Sequence, residues 1–171
     1  MELQGDGFKL RTWQLQDATA LQEHADNSNV SRYLSDRFPY PYTLEDANFF
    51  INLQLEQSPV TNFVIDIDGE LAGGISLEMR GDVYSKTPRL GYWLGEKHWN
   101  KGIITKATQL ICNYGFAELD IICIQAVVFD PNIASMRVLE KAGFIKQGIL
   151  AKSVVKNGEV FDEYIYALYQ I

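Results

Sequence analysis

The chain has 171 residues, a formal net charge of −7 and 47% hydrophobic residues, enough for one domain with a real core and too apolar for a disordered segment. An acidic pI near 4.8 excludes the broad basic face that nucleic-acid binding needs. No run approaches the roughly 20 apolar residues of a membrane span, and no signal-peptide-like segment opens the chain, so a cytoplasmic protein without nucleic-acid or membrane partners is expected.

The stretch Phe8 to Leu15, FKLRTWQL, alternates and predicts a first strand. Asp17 then stands as N-cap of a helix beginning ATALQEHA. The segment SRYLSDRFPYPYT is aromatic and broken by Pro39 and Pro41, which suits a loop covering a site. Thr43 and Asp46 have capping-box spacing ahead of a helix over TLEDANFFINLQLEQ. Asp68-Gly69, between the apolar runs NFVIDI and ELAGGISLEM, predicts a hairpin, and RLGYWLG reads as the third strand of the same meander.

From Ile103, apolar residues recur at Ala107, Leu110, Ile111, Tyr114 and Ala117, one face of a helix. IICIQAVVF is a near-continuous apolar run, as in a strand covered on both faces. Asn132 caps the next helix, IASMRVLEKA, which Gly143 ends. Asn157-Gly158 centres a terminal hairpin. No linker divides these elements, so the chain reads as a single α+β (mixed α/β) domain over 1–171. An exposed terminal strand could pair two copies into a homodimer. Cys112 and Cys123 lack metal-ligand spacing and read as buried free thiols. His24 and His98 lie far apart in sequence, and no metal site is expected.

The stretch EKHWNKGIITKATQL carries positive charge into a helix start in an acidic chain. Helix N-termini favour anions, and Gly102 allows close approach of a phosphate. A solvated loop with helix-compatible lysines is the alternative. The Walker A pattern is not met, because Asn100 and Gly102 stand where its second glycine and its Ser/Thr belong, which argues against nucleotide hydrolysis.

GYWLGEKHWNKGIITKATQLICNYGF, followed by a strand, NIASMRVLEKAGF and a terminal Asn-Gly hairpin, resembles the GNAT superfamily of acetyl-CoA-dependent N-acetyltransferases. Within it, the pattern is similar to the RimJ/RimL-type branch. The resemblance covers nearly the whole chain. It implies a mostly antiparallel twisted sheet, flanked by helices, whose middle strands part between GYWL and IQAVVF. It implies that backbone N–H groups of Asn100, Lys101, Gly102, Ile103, Ile104 and Thr105 cradle the pyrophosphate of coenzyme A. Trp93 and Leu94 would meet the pantetheine through their main chains, with Leu94 N–H facing the oxyanion. Asn132 and Ser135 would lie near the thioester arm.

The sequence departs from the family pattern at Asn100, where glycine is usual, at Ile104, where Gly or Ala is usual, and at Leu139, where many members carry an acidic tyrosine. Ser135 is the remaining candidate acid, with helix capping as its structural alternative. Glu78, at the end of its strand, is the candidate base for the amine, against a plain surface carboxylate; Asp82 and Glu96 are weaker candidates. The implied reaction is acetyl transfer from acetyl-CoA, with no metal, to a primary amine: a peptide N-terminus, a polyamine, an amino sugar or an antibiotic. A non-catalytic acyl-CoA-binding domain is the alternative.

Overall fold

A computed structural model describes residues 1–170; Ile171, the last residue of the expected domain, lies outside the described residues. One eight-stranded sheet runs through the molecule: β1 (Glu2–Gln4), β2 (Lys9–Arg11), β3 (Asn62–Ile67), β4 (Glu70–Glu78), β5 (Arg89–Leu94), β6 (Cys123–Phe129), β7 (Ile145–Lys156) and β8 (Glu159–Tyr169). Its order is β1-β2-β3-β4-β5-β6-β8-β7. All pairs are antiparallel except β5–β6.

Helices α1 (Ala18–Ala25), α2 (Ser28–Ser31), α3 (Leu44–Leu55), α4 (Ile103–Glu118) and α5 (Ile133–Lys141) complete the fold. The side chains of α4 and α5 share one core with Leu77, Ile111, Ile124 and Leu139, while α1 and α3 close a second around Trp13, Leu21, Ile51 and Val64. Strand alternation sends successive side chains to these opposite faces. Among the described residues, no helix is long and apolar enough to cross a membrane.

Local signals read from the sequence hold in several places. The Thr43 side chain accepts from Asp46 N–H, and the Asp46 carboxylate accepts from Thr43 N–H, completing the capping box of α3. Both Xaa-Gly turns join the strands expected of them, β3–β4 and β7–β8. Gly143 has φ +95 just beyond α5, and both cysteines are buried and free.

Other expectations need correction. The first strand is only Lys9–Arg11, and Glu2–Gln4 pairs beside it. The chain leaves the ladder because Arg11 and Asp17 meet inside the protein. Arg11 Nη1 and Nη2 donate to the two oxygens of Asp17 at 2.8 Å each, and its Nε donates to Asp66 at 2.6 Å. Asp17 has helical φ and makes no side-chain cap to α1; its carboxylate accepts from Arg11 and from Gln14 N–H instead. The terminal strand β8 lies between β6 and β7. The sheet edges are therefore β1 and β7, and two register shifts blunt β7 for pairing with another copy.

Candidate active site

The middle of the sheet is open. Strands β5 and β6 share a single residue pair, Arg89 with Gln125, whereas β4 and β5 pair over six. The closed end is held by the Arg80 guanidinium, which donates to Thr87 O at 2.7 Å and to Gln125 Oε1 at 3.1 Å. Beyond it the strands diverge, and a cleft of about 850 Å³ opens between the end of β5, the start of α4 and the start of α5. Trp93, Leu94, Asn100, Lys101, Gly102, Ile103, Ile104, Thr105, Asn132 and Ser135 all line it. Sequence-distant residues anticipated for one ligand are thus gathered on one wall system.

Backbone direction decides what each part of β5 offers. Gly95 N–H donates to Ala72 O at 2.8 Å. Antiparallel alternation then turns the main-chain groups of Trp93 toward β4 and those of Tyr92 and Leu94 into the gap. The expected main-chain contact from Trp93 is therefore corrected: its polar backbone is engaged by the sheet, and its side chain walls the cleft. Gly73 and Gly74 permit this packing, since a Cβ at Gly73 would lie 2.3 Å from Trp93 O and one at Gly74 2.7 Å from the Trp93 indole nitrogen. Leu94 O accepts from the Trp99 indole at 2.8 Å, which leaves Leu94 N–H, together with Tyr92 N–H, as a donor facing the gap.

At the mouth of the gap, Gly102 is the N-cap of α4 with φ +73 and no side-chain cap. Among the described residues, no protein acceptor meets the N–H groups of Ile103, Ile104 and Thr105; the first intrahelical bond comes from Lys106 N–H to Gly102 O. Unmet donors at a helix start fit a phosphate oxygen. The two departures in this loop, at Asn100 and Ile104, are accommodated. Asn100 has φ +61, a left-handed conformation that asparagine tolerates better than most residues. Ile104 packs against the α4-side core, so its bulk does not cover its own N–H.

Asn132 Oδ1 accepts from Ser135 N–H at 3.3 Å, so Asn132 supplies the cap of α5 and Ser135 is capped rather than capping. The Ser135 hydroxyl instead lies 2.7 Å from the Tyr92 phenol. Desolvation pushes that phenol up to about 12, opposed in part by the Ser135 hydrogen bond. Leu139 is fully buried in the core and does not line the cleft.

Glu78 stands apart. It ends β4 opposite Arg89, in register with the closed end of the gap, and it does not line the cleft. Its carboxylate accepts from Arg37 of the aromatic loop, and this pairing holds the Arg37 guanidinium above its ordinary value. Asp36 of the same loop receives Lys156 Nζ at 2.7 Å, so adjacent residues tie the loop to both sides of the gap. Glu96 is held by the amides of Asn27 and Asn29 at 2.7 and 3.0 Å, which fits it as a brace for the phosphate loop. Asp82 sits in a short turn with φ +59.

Sequence reasoning missed Tyr92 as a partner of Ser135, and it missed the histidine pair. The rings of His24 and His98 lie 5.7 Å apart, and His98 lines the cleft. Burial lowers the pKa of both. Among the described residues, no cluster of His, Cys, Asp and Glu has the makings of a metal site.

Residues 8–145 match the acetyltransferase (GNAT) domain family. The chain belongs to the GNAT acetyltransferase family. It is 31% identical over 163 residues to the uncharacterized N-acetyltransferase YnaD of Bacillus subtilis (strain 168), covering 93% of this chain and 91% of that protein. It is 44% identical over 103 residues to the probable N-acetyltransferase YjcK of the same organism, where the match covers 59% of this chain and 56% of the relative. Its fold superposes with a TM-score of 0.88 on RimL, the ribosomal L7/L12 α-N-protein acetyltransferase in complex with coenzyme A, at 21% identity over 99% of this chain and 98% of that one. A GNAT chain with this cleft is an acetyl-CoA-dependent N-acetyltransferase.

Proposed function

We propose that the whole chain works as one acetyltransferase domain in the cytoplasm, passing the acetyl group of acetyl-CoA to a primary amine by direct attack in a ternary complex. One observation carries this reading: three unmet N–H groups at the start of α4 face the mouth of a gap whose inner wall presents Leu94 N–H. Coenzyme A supplies the activated thioester; every other requirement falls on the chain. Asn100 to Thr105 hold the pyrophosphate, the Trp93 side chain and Asn132 wall the thioester arm, and Leu94 N–H donates to the carbonyl oxygen as negative charge develops there.

The acceptor must lose a proton to attack, because an amine with a pKa near 8 to 10 is mostly protonated at neutral pH. Glu78, outside the cleft at the closed end of the gap, receives that proton through water. An acceptor arriving as an ammonium ion competes with Arg37 for the same carboxylate, which favours cationic substrates. Peptide N-termini, polyamines, amino sugars and aminated antibiotics all share this chemistry. Whether two copies associate is decided by light scattering after gel filtration, for which a monomer is the outcome that the blunted β7 edge favours.

The test is acetyl-CoA turnover against a panel drawn from those four acceptor classes, followed by free thiol. Acceptor-dependent thiol release is expected. Coenzyme A binding without turnover on any amine overturns the catalytic reading, and thiol release without an acceptor indicates hydrolysis.

A further inference from the structure

We infer that Tyr92 is a positioning residue, holding the Ser135 hydroxyl so that its proton points at the sulfur of the bound thioester. This rests on the acetyltransferase reading above and adds a role for a motif residue that the sequence reading left without one. The Tyr92 oxygen lies 2.7 Å from Ser135 Oγ and 3.4 Å from Ser135 O. A phenol is a better hydrogen-bond donor than an alkyl hydroxyl, so Tyr92 donates and Ser135 Oγ accepts. That leaves the Ser135 O–H free to donate, and both side chains line the cleft. Asn132 fixes the backbone beneath them by accepting Ser135 N–H.

The chemistry makes the pair a donor and not an acid. The amine nitrogen bonds to the acyl carbon, the C–S bond breaks, and its electron pair goes to sulfur. The proton lost from nitrogen goes to Glu78 or water, and the thiolate takes its own proton from water. A thiol with a pKa of about 8.5, by analogy with cysteine, is a much stronger acid than a serine hydroxyl. With the phenol pushed up to about 12, neither group surrenders its proton to the thiolate. A hydrogen bond from Ser135 still stabilises the charge that develops on sulfur.

Two measurements test it. The thiol of bound coenzyme A is titrated through the ultraviolet absorbance of its thiolate, in the wild type, Tyr92→Phe and Ser135→Ala. Its pKa is expected to be depressed in the wild-type complex and to rise by on the order of one unit in each variant. In turnover, each single variant is expected to lower kcat about tenfold with KM for acetyl-CoA nearly unchanged, and the double variant to lose no more than either single one. Equal thiol pKa values in wild type and Tyr92→Phe overturn the inference while leaving the acetyltransferase reading intact, as do additive losses or a loss confined to KM. Failure of the wild type to bind coenzyme A overturns both.

Discussion

Arg37 reaches from the loop after α2 and forks the carboxylate of Glu78, Nη1 to Oε1 at 3.0 Å and Nη2 to Oε2 at 3.4 Å. The carboxylate proposed to take the acceptor's proton is thus already paired with a cation. Both partners are exposed, so the pair contributes only about 0–1 kcal/mol to stability, and an incoming ammonium group is able to displace Arg37.

Glu78→Gln is expected to lower kcat about a hundredfold below pH 7, with the deficit shrinking as pH rises and the acceptor deprotonates by itself. Arg37→Ala is expected to lower KM for cationic acceptors with little change in melting temperature. Steady-state kinetics across pH check both. Wild-type rates for Glu78→Gln at every pH would remove it as the base.

Gly102→Val is expected to weaken coenzyme A binding at least tenfold, read by calorimetry. The cause is conformational: a Cβ there meets nothing within 4 Å, but φ is +73, and a left-handed conformation costs an L-residue about 1–2 kcal/mol. Asn100→Gly should bind as the wild type does and Asn100→Val less tightly, since Asn100 also has positive φ.

Arg11→Ala should cost about 3–5 kcal/mol, measured by urea unfolding, because it strands the carboxylates of Asp17 and Asp66. Both carboxylates are almost fully buried. Loss of less than about 1 kcal/mol would show that solvent reaches them.

The histidine pair is expected to make folding stability depend on pH. Burial, then Lys97, lowers His24 from 6.5; burial, Lys97, His24 and Lys101 lower His98, while Glu70 opposes on both and Glu23 on His24. The unfolded chain therefore binds these protons more readily than the folded one. Stability is full above pH 6.5 and falls as pH drops from there toward the lowered folded values. His24→Gln should flatten this dependence in urea titrations at about pH 7 and about pH 5; an unchanged slope would assign the loss to other groups.

The features legible in the sequence are those written within a few residues of chain. The Thr43–Asp46 box, the two Xaa-Gly turns, the period of α4 and the N-cap at Asn132 each follow from interactions between positions i and i+4 or closer. Together with the glycine-marked helix start, they give an α+β domain with an anion-favouring helix N-terminus; the GNAT fold and coenzyme A came from the resemblance of GYWLGEKHWNKGIITK and NIASMRVLEKAGF to that family. Partnerships across the sheet were not written that way. Arg37 meets Glu78 from 41 residues away and Tyr92 meets Ser135 from 43. Arg11 turns inward to two acids, and the last strand lies inside the sheet. Strand register decides which backbone groups of β5 face the gap, and packing of helices on opposite faces decides which polar side chains come within 3 Å. These are properties of the assembled sheet, because a register shift of one residue exchanges Trp93 for Leu94 at the cleft without altering any local propensity.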